Sequence, residues 1–154
     1  MSPFRWASRI YWEDTDGGGI VYYANYLRFL ERARTEWLRS LGYSQRALAE
    51  KPGIVFAVVS LNIEYRKPAK LDDELVITCE PELEGAATIV FAQRIYRREG
   101  PVPEQQFKAS SLLVEARARV ACLDASSLKP KRLPDFLTPR PPLTGTRSNT
   151  KEPF

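Results

Sequence analysis

The residues of this chain that could do chemistry are gathered in one short run near the N-terminus, Glu13-Asp14-Thr15-Asp16-Gly17-Gly18-Gly19. Three acidic side chains precede three glycines, which adopt backbone angles and permit close approaches that other residues do not. The 154 residues include no histidine and two cysteines, which excludes a Ser-His-Asp or Cys-His nucleophile and argues against zinc. We therefore expect no metal and no cofactor, and any catalysis must use carboxylates, hydroxyls, amines or the backbone.

A long helix is predicted directly after this run, over residues 23–41. Its apolar residues recur at three- and four-residue spacing, and Gly42 follows as a left-handed cap. Ser44 is a candidate N-cap for a short second helix over Gln45–Glu50. The first N–H groups of the long helix lack helical partners and carry partial positive charge, so they can bind an anionic oxygen.

The remaining elements are predicted to be strands, in the ranges 4–12, 55–65, 75–79 and beyond, Thr88–Arg97 and 109–123. Every odd residue from 55 to 65 is apolar, which predicts a long strand with one buried face. Short turns between strands favour antiparallel pairing, and one amphipathic helix must cover the apolar face of the sheet. The pattern predicts an α+β fold with two layers.

Composition and charge restrict the possible partners. The chain is 44% hydrophobic, 27% charged and carries a net charge of +4, with lysines and arginines scattered along it. Neither a basic helix nor an aromatic platform is evident, so we expect no nucleic-acid partner. No secretory signal and no apolar run of roughly 20 residues occur, and two cysteines without a spacing motif suggest buried thiols. We expect a cytoplasmic protein without stable membrane insertion.

A change of composition near the C-terminus suggests the domain boundary. Six prolines lie between residue 130 and the C-terminus, and the apolar alternation fails after the last strand. We predict one domain over residues 1–136 and a proline-rich, flexible tail over residues 137–154.

Several motifs resemble one known family. The run from Tyr11 to Leu27, Tyr-Trp-Glu-Asp-Thr-Asp-Gly-Gly-Gly-Ile-Val-Tyr-Tyr-Ala-Asn-Tyr-Leu, and then Phe29-Leu30-Glu31-Arg32-Ala33-Arg34, resemble the 4-hydroxybenzoyl-CoA thioesterase family. The similarity is greatest to its YbgC branch, acyl-CoA thioesterases associated with the Tol-Pal system. It continues through Pro68-Ala69-Lys70-Leu71-Asp72-Asp73 and Gln93-Arg94-Ile95, and covers roughly residues 5–137.

The resemblance implies a hot-dog fold, in which a curved antiparallel five-stranded sheet wraps a long central helix. It also implies a homodimer or homotetramer with active sites at the subunit interface, and a functional link to the Tol-Pal system. The implied activity is hydrolysis of an acyl-coenzyme A to the free acid and CoA.

The resemblance also assigns roles to individual residues. Asp16 matches the catalytic carboxylate and would act as nucleophile or as general base; the sequence leaves both open, and an aspartate before glycine is also an ordinary turn residue. The backbone amide of Tyr23 would hold the oxyanion, and Gly19, with its neighbouring glycines, would let the thioester approach the backbone. The YbgC branch usually has histidine at the position of Tyr23, so no role of that histidine is carried over.

Coenzyme A carries phosphates, so basic residues are expected near its entry. Arg66 and Lys67 are the candidates for these phosphates, with Lys70, Arg94, Arg97 and Arg98 as further basic residues. For each of them the alternative is a solvated surface charge. Glu31 is expected either to orient the site or to pair with Arg34 or Arg66.

Alternative functions stay open at the level of sequence. A non-catalytic hot-dog module that binds acyl groups or partner proteins is compatible with tyrosine at position 23. A thioesterase acting on acyl-carrier protein is a second alternative. A hot-dog dehydratase normally needs a catalytic histidine, and its absence argues against that reaction.

Overall fold

The computed structural model describes residues 3–99 and 111–137. One five-stranded sheet packs against one long helix, which confirms the predicted hot-dog architecture. The strands and helices are, in chain order, β1 (Phe4–Arg9), α1 (Tyr26–Ser40), α2 (Gln45–Glu50), β2 (Ile54–Tyr65), β3 (Glu74–Leu83), β4 (Thr88–Arg97) and β5 (Leu112–Asp124).

The sheet has the order β1-β3-β4-β5-β2, and every neighbouring pair is antiparallel. Consecutive strands joined by short turns, such as β3 and β4 around Gly85, pair directly, as expected. Strand β2 instead pairs with β5, the last strand in the chain. As a result β1 and β2 form the two edges of the sheet.

Helix α1 buries one stripe of side chains, Tyr26, Phe29, Leu30, Ala33 and Leu38, against the inner face of the sheet. A 3-10 turn over Tyr23–Asn25 leads into it, so the helical segment begins at the predicted residue. It ends at Ser40 with Leu41 as the C-cap, and Gly42 follows with φ +95°, which confirms the predicted left-handed cap. Leu41, predicted on the apolar stripe, is exposed because it lies beyond the last helical turn.

Two predicted boundaries differ from the structure. The first strand was expected to reach residue 12, but β1 ends at Arg9 and a 3-10 turn occupies Trp12–Asp14. The strand ends where its partner strand does: β3 begins at Glu74, opposite Arg9, and Ile10 is bonded to Asp72 and Asp73 in the turn that precedes β3. The short helix α2 and its cap are confirmed, since the Ser44 hydroxyl accepts from Ala47 N–H at 3.1 Å.

The prediction of a buried face along β2 is wrong for the single chain. Val59 is 56% exposed and Leu61 37% exposed, although both belong to the apolar alternation. Two features explain this. Strand β2 is an edge strand, and α1 packs mainly over β1 and β3. The register of β2 against β5 also shifts between Val58 and Ser60. The alternating run therefore gives the strand an exposed apolar edge.

The outer face of the sheet, on the side away from α1, carries charges that pair across strands. Arg117 on β5 lies 3.2 Å from Glu82 on β3, and Arg119 lies 2.7 Å from Glu84 at the end of β3. Each guanidinium reaches its carboxylate over the intervening β4, where Ala92 stands opposite Arg117. We call these two pairs the cross-strand ladder.

The C-terminal segment closes one end of the core. Leu137, which the sequence placed at the start of the tail, is 1% exposed, and Phe136 stacks on Tyr43 with ring centroids 3.9 Å apart. The rest of the predicted tail lies outside the described residues, as do residues 109 and 110 of the predicted last strand. Both cysteines, Cys79 and Cys122, are buried and free, as expected.

Candidate active site

The acidic run folds back on itself as a two-stranded ribbon between β1 and α1. Thr15 pairs with Val21 in an antiparallel bridge, and Asp16 N–H donates to Ile20 O at 3.0 Å. The three residues 17–19 form the loop at the tip of this ribbon. Gly17 and Gly19 have φ near +90°, a conformation that side-chain-bearing residues rarely adopt, so the loop requires glycine at both positions.

The carboxylate of Asp16 is held by this loop. Its Oδ1 accepts a hydrogen bond from Gly18 N–H at 2.8 Å. In the single chain the side chain is exposed at the tip of the ribbon. One oxygen of the carboxylate is therefore fixed by the backbone while the group as a whole stays open to a substrate or to a second subunit.

A third segment, residues 69–71, pairs with the other side of the ribbon. Val21 N–H donates to Ala69 O at 2.9 Å, and Gly19 O accepts from Leu71 N–H at 3.0 Å. The carbonyl of Gly19 is therefore occupied by a structural hydrogen bond. Its missing side chain, with no atom within 4 Å of a built Cβ, leaves open space beside the backbone.

An ion pair beneath the ribbon supports this third segment. Asp73 Oδ2 accepts from Arg97 Nε at 2.9 Å and from the backbone N–H of Lys70 at 2.8 Å. Arg97 also donates to Pro68 O at 2.8 Å. Both side chains of the pair are mostly shielded from solvent, so the pair and its hydrogen bonds fix the segment that carries the ribbon.

Tyr23 begins the helical segment directly after the ribbon. As the first residue of the 3-10 turn, its N–H has no acceptor within the helix. The turn is tied back to the acidic run because Asn25 Nδ2 donates to Asp14 O at 2.9 Å. Ile20 is the hydrogen-bond partner of Asp16, and Tyr23 follows Ile20 by three residues. The rise of an extended chain therefore puts the Tyr23 amide roughly 10 Å from the backbone of Asp16.

Two tyrosines that position this helix start were not predicted as site residues. The Tyr65 hydroxyl donates to Tyr23 O at 3.0 Å, and its ring contacts the rings of Tyr23 and Tyr26. The Tyr26 hydroxyl accepts from Ala69 N–H at 2.9 Å, and burial raises its pKa. The sequence does carry one indication of the role of Tyr65: a tyrosine, with its polar hydroxyl, ends the otherwise aliphatic alternation of β2.

The two acidic residues before and after the ribbon have other partners. Asp14 Oδ2 accepts from Tyr11 N–H at 2.8 Å and caps the 3-10 turn, so its carboxylate has a local structural role. Glu31 Oε2 accepts from Thr35 Oγ1 at 2.7 Å. Neither of its two predicted pairing partners forms an ion pair with it in the part of the chain that the structure describes.

Arg66 and Lys67, predicted to bind phosphates, follow β2 directly after Tyr65. Arg66 Nε lies 3.0 Å from Glu115 Oε2, and its Nη2 lies 2.8 Å from Glu64 Oε1. The backbone N–H of Lys67 donates to Leu113 O at 3.2 Å. The Arg66 guanidinium is therefore shared between two carboxylates, and only the preceding residue, Tyr65, contacts the helix start.

A separate pocket of about 170 Å³ opens between the second half of α1 and the inner face of the sheet. Arg34 stands at its polar edge and donates to Oε1 of Gln93 at 3.0 Å, while Gln93 is 2% exposed and donates to Leu30 O. Burial lowers the pKa of Arg34. Glu31 and Gln45 also line the pocket, and its remaining walls are apolar, formed by Trp37, Leu38, Phe56, Val58, Ile89, Phe91 and Val120.

Residues 3–99 and 111–137 contain no group of three histidine, cysteine or acidic side chains placed to bind a metal ion. Within the same residues, no helix combines the length and the apolar character needed to cross a membrane.

Comparison with known proteins gives a consistent result. The model of the thioesterase superfamily matches residues 18–104, which include the tip of the ribbon, α1 and β4. Over 132 residues the chain is 45% identical to the acyl-CoA thioester hydrolase YbgC of Escherichia coli O6:H1, covering 85% of this chain and 90% of that one. It is 42% identical over 131 residues to the acyl-CoA thioesterase YbgC of Haemophilus influenzae, covering 85% and 88%.

Solved structures agree with this result. The 4-hydroxybenzoyl CoA thioesterase from Pseudomonas sp. strain CBS-3 superposes with a TM-score of 0.74 at 25% identity, over 89% of this chain and 98% of that one. The family model, the level of identity and the shared fold lead to one conclusion: the chain belongs to the thioesterase superfamily, within its YbgC family of acyl-CoA thioester hydrolases.

Proposed function

We propose that this chain hydrolyses an acyl-coenzyme A with Asp16 as the catalytic carboxylate and the Tyr23 backbone amide as the oxyanion donor. The observation that carries the proposal is the ribbon itself. It brings a carboxylate held by the backbone and an amide without a helical acceptor onto one short segment. A thioester needs these two elements, one to deliver a nucleophile and one to stabilise the developing negative charge.

The chemistry can follow either of two routes. Asp16 can attack the thioester carbonyl, expelling CoA as the thiolate and leaving a mixed anhydride that water then hydrolyses. Alternatively, it can remove a proton from a water molecule that attacks the carbonyl. In both routes the Tyr23 N–H would bind the carbonyl oxygen, and the open space beside Gly19 would admit the thioester. Both routes consume one water and release the acid and CoA.

The exposed apolar edge of β2 supports a homodimer. Twelve residues of edge strand have unpaired backbone groups on one side and present Val58, Val59 and Leu61 to solvent. Such an edge is normally covered or paired in a stable protein. A second copy paired there would extend the sheet and bring another subunit towards Tyr65 and the helix start, where it could enclose the exposed Asp16.

The segment after β2, with Arg66 and Lys67, would bind the phosphates of CoA, although a phosphate at Arg66 must compete with Glu64 and Glu115. Assembly of dimers into a homotetramer, a cytoplasmic location and a link to the Tol-Pal system rest on the resemblance.

Turnover of a panel of short aliphatic, long aliphatic and aromatic acyl-CoAs by wild type and Asp16→Asn tests the proposal. The asparagine keeps an oxygen that can accept from Gly18 N–H, so the loop should keep its conformation. We expect kcat to fall at least about 100-fold, the typical contribution of a general base. Asp14→Asn is the matched control, because its cap needs only an acceptor, and we expect it to retain activity.

The same assay, extended to the corresponding acyl-carrier-protein thioesters, separates the alternatives. Equal rates of wild type and Asp16→Asn, both at the background level on every acyl-CoA, would favour a non-catalytic module. The specific indication for it is tyrosine at position 23 instead of the branch's histidine. Turnover only of acyl groups carried on acyl-carrier protein would favour that substrate class.

A further inference from the structure

Lys70 lies in the third segment of the ribbon, directly opposite Ile20. The two residues form an antiparallel bridge. It is flanked by two backbone hydrogen bonds, Val21 N–H to Ala69 O at 2.9 Å and Leu71 N–H to Gly19 O at 3.0 Å. The position of Lys70 relative to the glycine loop is therefore fixed by the backbone.

The alternation of side chains places three residues in a row across the solvent side of the ribbon. Val21 and Ala69 point into the core, with 4% and 0% exposure. Their neighbours Ile20 and Lys70 therefore point outwards, as does Asp16, which stands opposite Ile20 on the other side. Adding the two strand-to-strand spacings separates the Asp16 and Lys70 Cα atoms by roughly 10 Å.

The charge of Lys70 is uncommitted. Its backbone N–H is bound by Asp73, but Asp73 directs its charge to Arg97. The ammonium of Lys70 forms no ion pair with any carboxylate in residues 3–99 or 111–137. Arg66, by contrast, is shared between Glu64 and Glu115. A ligand phosphate at Lys70 displaces no protein carboxylate.

We propose that Lys70 binds a phosphate of coenzyme A, and that the pantetheine arm crosses the ribbon from Asp16 over the exposed side chain of Ile20. The inference rests on the proposed function, because Asp16 must hold the reacting end of the substrate. The row then matches the ligand in order. The carboxylate faces the thioester, the apolar Ile20 faces the pantetheine chain, and the lysine on its flexible four-carbon stem faces the phosphates.

Lys70→Met tests this assignment, because methionine keeps an apolar stem and removes the charge. Binding of CoA is measured by calorimetry, and kcat/KM is measured on an acyl-CoA and on the same acyl group carried by pantetheine, which has no phosphate. We expect CoA to bind about three- to tenfold more weakly, the loss of one charge-assisted contact, with kcat/KM on the pantetheine thioester unchanged. Lys70→Arg, which keeps the charge, should retain most of the affinity.

Arg119→Met is the matched control, since it removes the same charge from the outer face of the sheet, and CoA binding should stay at the wild-type value. Unchanged CoA binding in Lys70→Met would overturn the assignment. An equal loss on the acyl-CoA and the pantetheine thioester would overturn it too, because the effect would then not involve phosphate. If no thioester is hydrolysed by wild type, the proposed function fails, and the calorimetry still reports whether Lys70 binds CoA.

Discussion

A Gly18→Ala substitution would place one methyl group against the carboxylate of Asp16. A Cβ built at Gly18 lies 3.2 Å from Asp16 Oδ1, closer than ordinary van der Waals contacts of 3.4–4 Å. Gly18, unlike Gly17 and Gly19, does not have a left-handed backbone, so alanine adds no backbone strain there. The substitution therefore acts on the position of the carboxylate rather than on the loop.

The size of the effect follows from this contact. The carboxylate must shift by a few tenths of an ångström from the place where Gly18 N–H holds it at 2.8 Å. Weakening one hydrogen bond to a charged group costs about 1.5 kcal/mol, which corresponds to roughly a tenfold fall in kcat/KM if that position is needed in the transition state. The same loss destabilises the native state, but alanine offsets about 0.4–1 kcal/mol of it by lowering the entropy of the unfolded chain, so we expect the free energy of unfolding to fall by about 0.5–1 kcal/mol.

The assay is steady-state thioester hydrolysis together with urea unfolding of each variant. Gly42→Ala serves as the control, because Gly42 has φ +95° at the far end of α1. It should lose about 1–2 kcal/mol of stability with kcat/KM unchanged. Wild-type kcat/KM in a folded Gly18→Ala variant would refute the reasoning, because the position of the carboxylate would then not matter to the reaction.

Two further predictions concern assembly and pH. Val59→Lys should convert a dimer into a monomer, as measured by light scattering, because a charge on the β2 edge opposes strand pairing. Leu83→Lys, at an exposed end of β3, is the control and should leave the mass unchanged. A dimeric Val59→Lys variant would exclude this edge as the interface. Burial raises the pKa of Cys79 to about 12 from its ordinary 9.0. The stability gained by keeping this thiol neutral is therefore complete below pH 9 and is lost as the pH rises towards 12. Between pH 9 and 10, urea unfolding of wild type should therefore lose about 1 kcal/mol more than that of Cys79→Ala, and equal losses would contradict the burial of the thiol.

Much of the fold was predictable because the local signals agreed with the packing. The N-cap at Ser44 and the left-handed cap at Gly42 are predicted correctly, since caps depend on the backbone of a few neighbouring residues. Strand β4 was predicted at its observed bounds because Gly85 marks the turn before it and its alternation is regular.

The errors arose where a neighbouring element decides the outcome. The apolar alternation of β2 predicted burial, but periodicity does not reveal that α1 lies over β1 and β3 and that β2 is an edge. Likewise, the ribbon depends on Ala69 and Leu71, which are about 50 residues away in sequence from Gly19 and Val21. The roles of Tyr65 and of the Asp73–Arg97 pair could not be inferred without that long-range pairing.

The cross-strand ladder has a consequence for how the chain reaches this structure. Solvent-exposed ion pairs such as Arg117–Glu82 contribute on the order of 0–1 kcal/mol to the native state, so the ladder adds little to equilibrium stability. Its effect lies in the choice of strand register during folding. If β5 slipped by one residue, Arg117 and Arg119 would turn towards the apolar interior, where an unpaired guanidinium is very unfavourable. The ladder thus excludes misaligned sheets, and removing both arginines should slow productive folding more than it lowers the final stability.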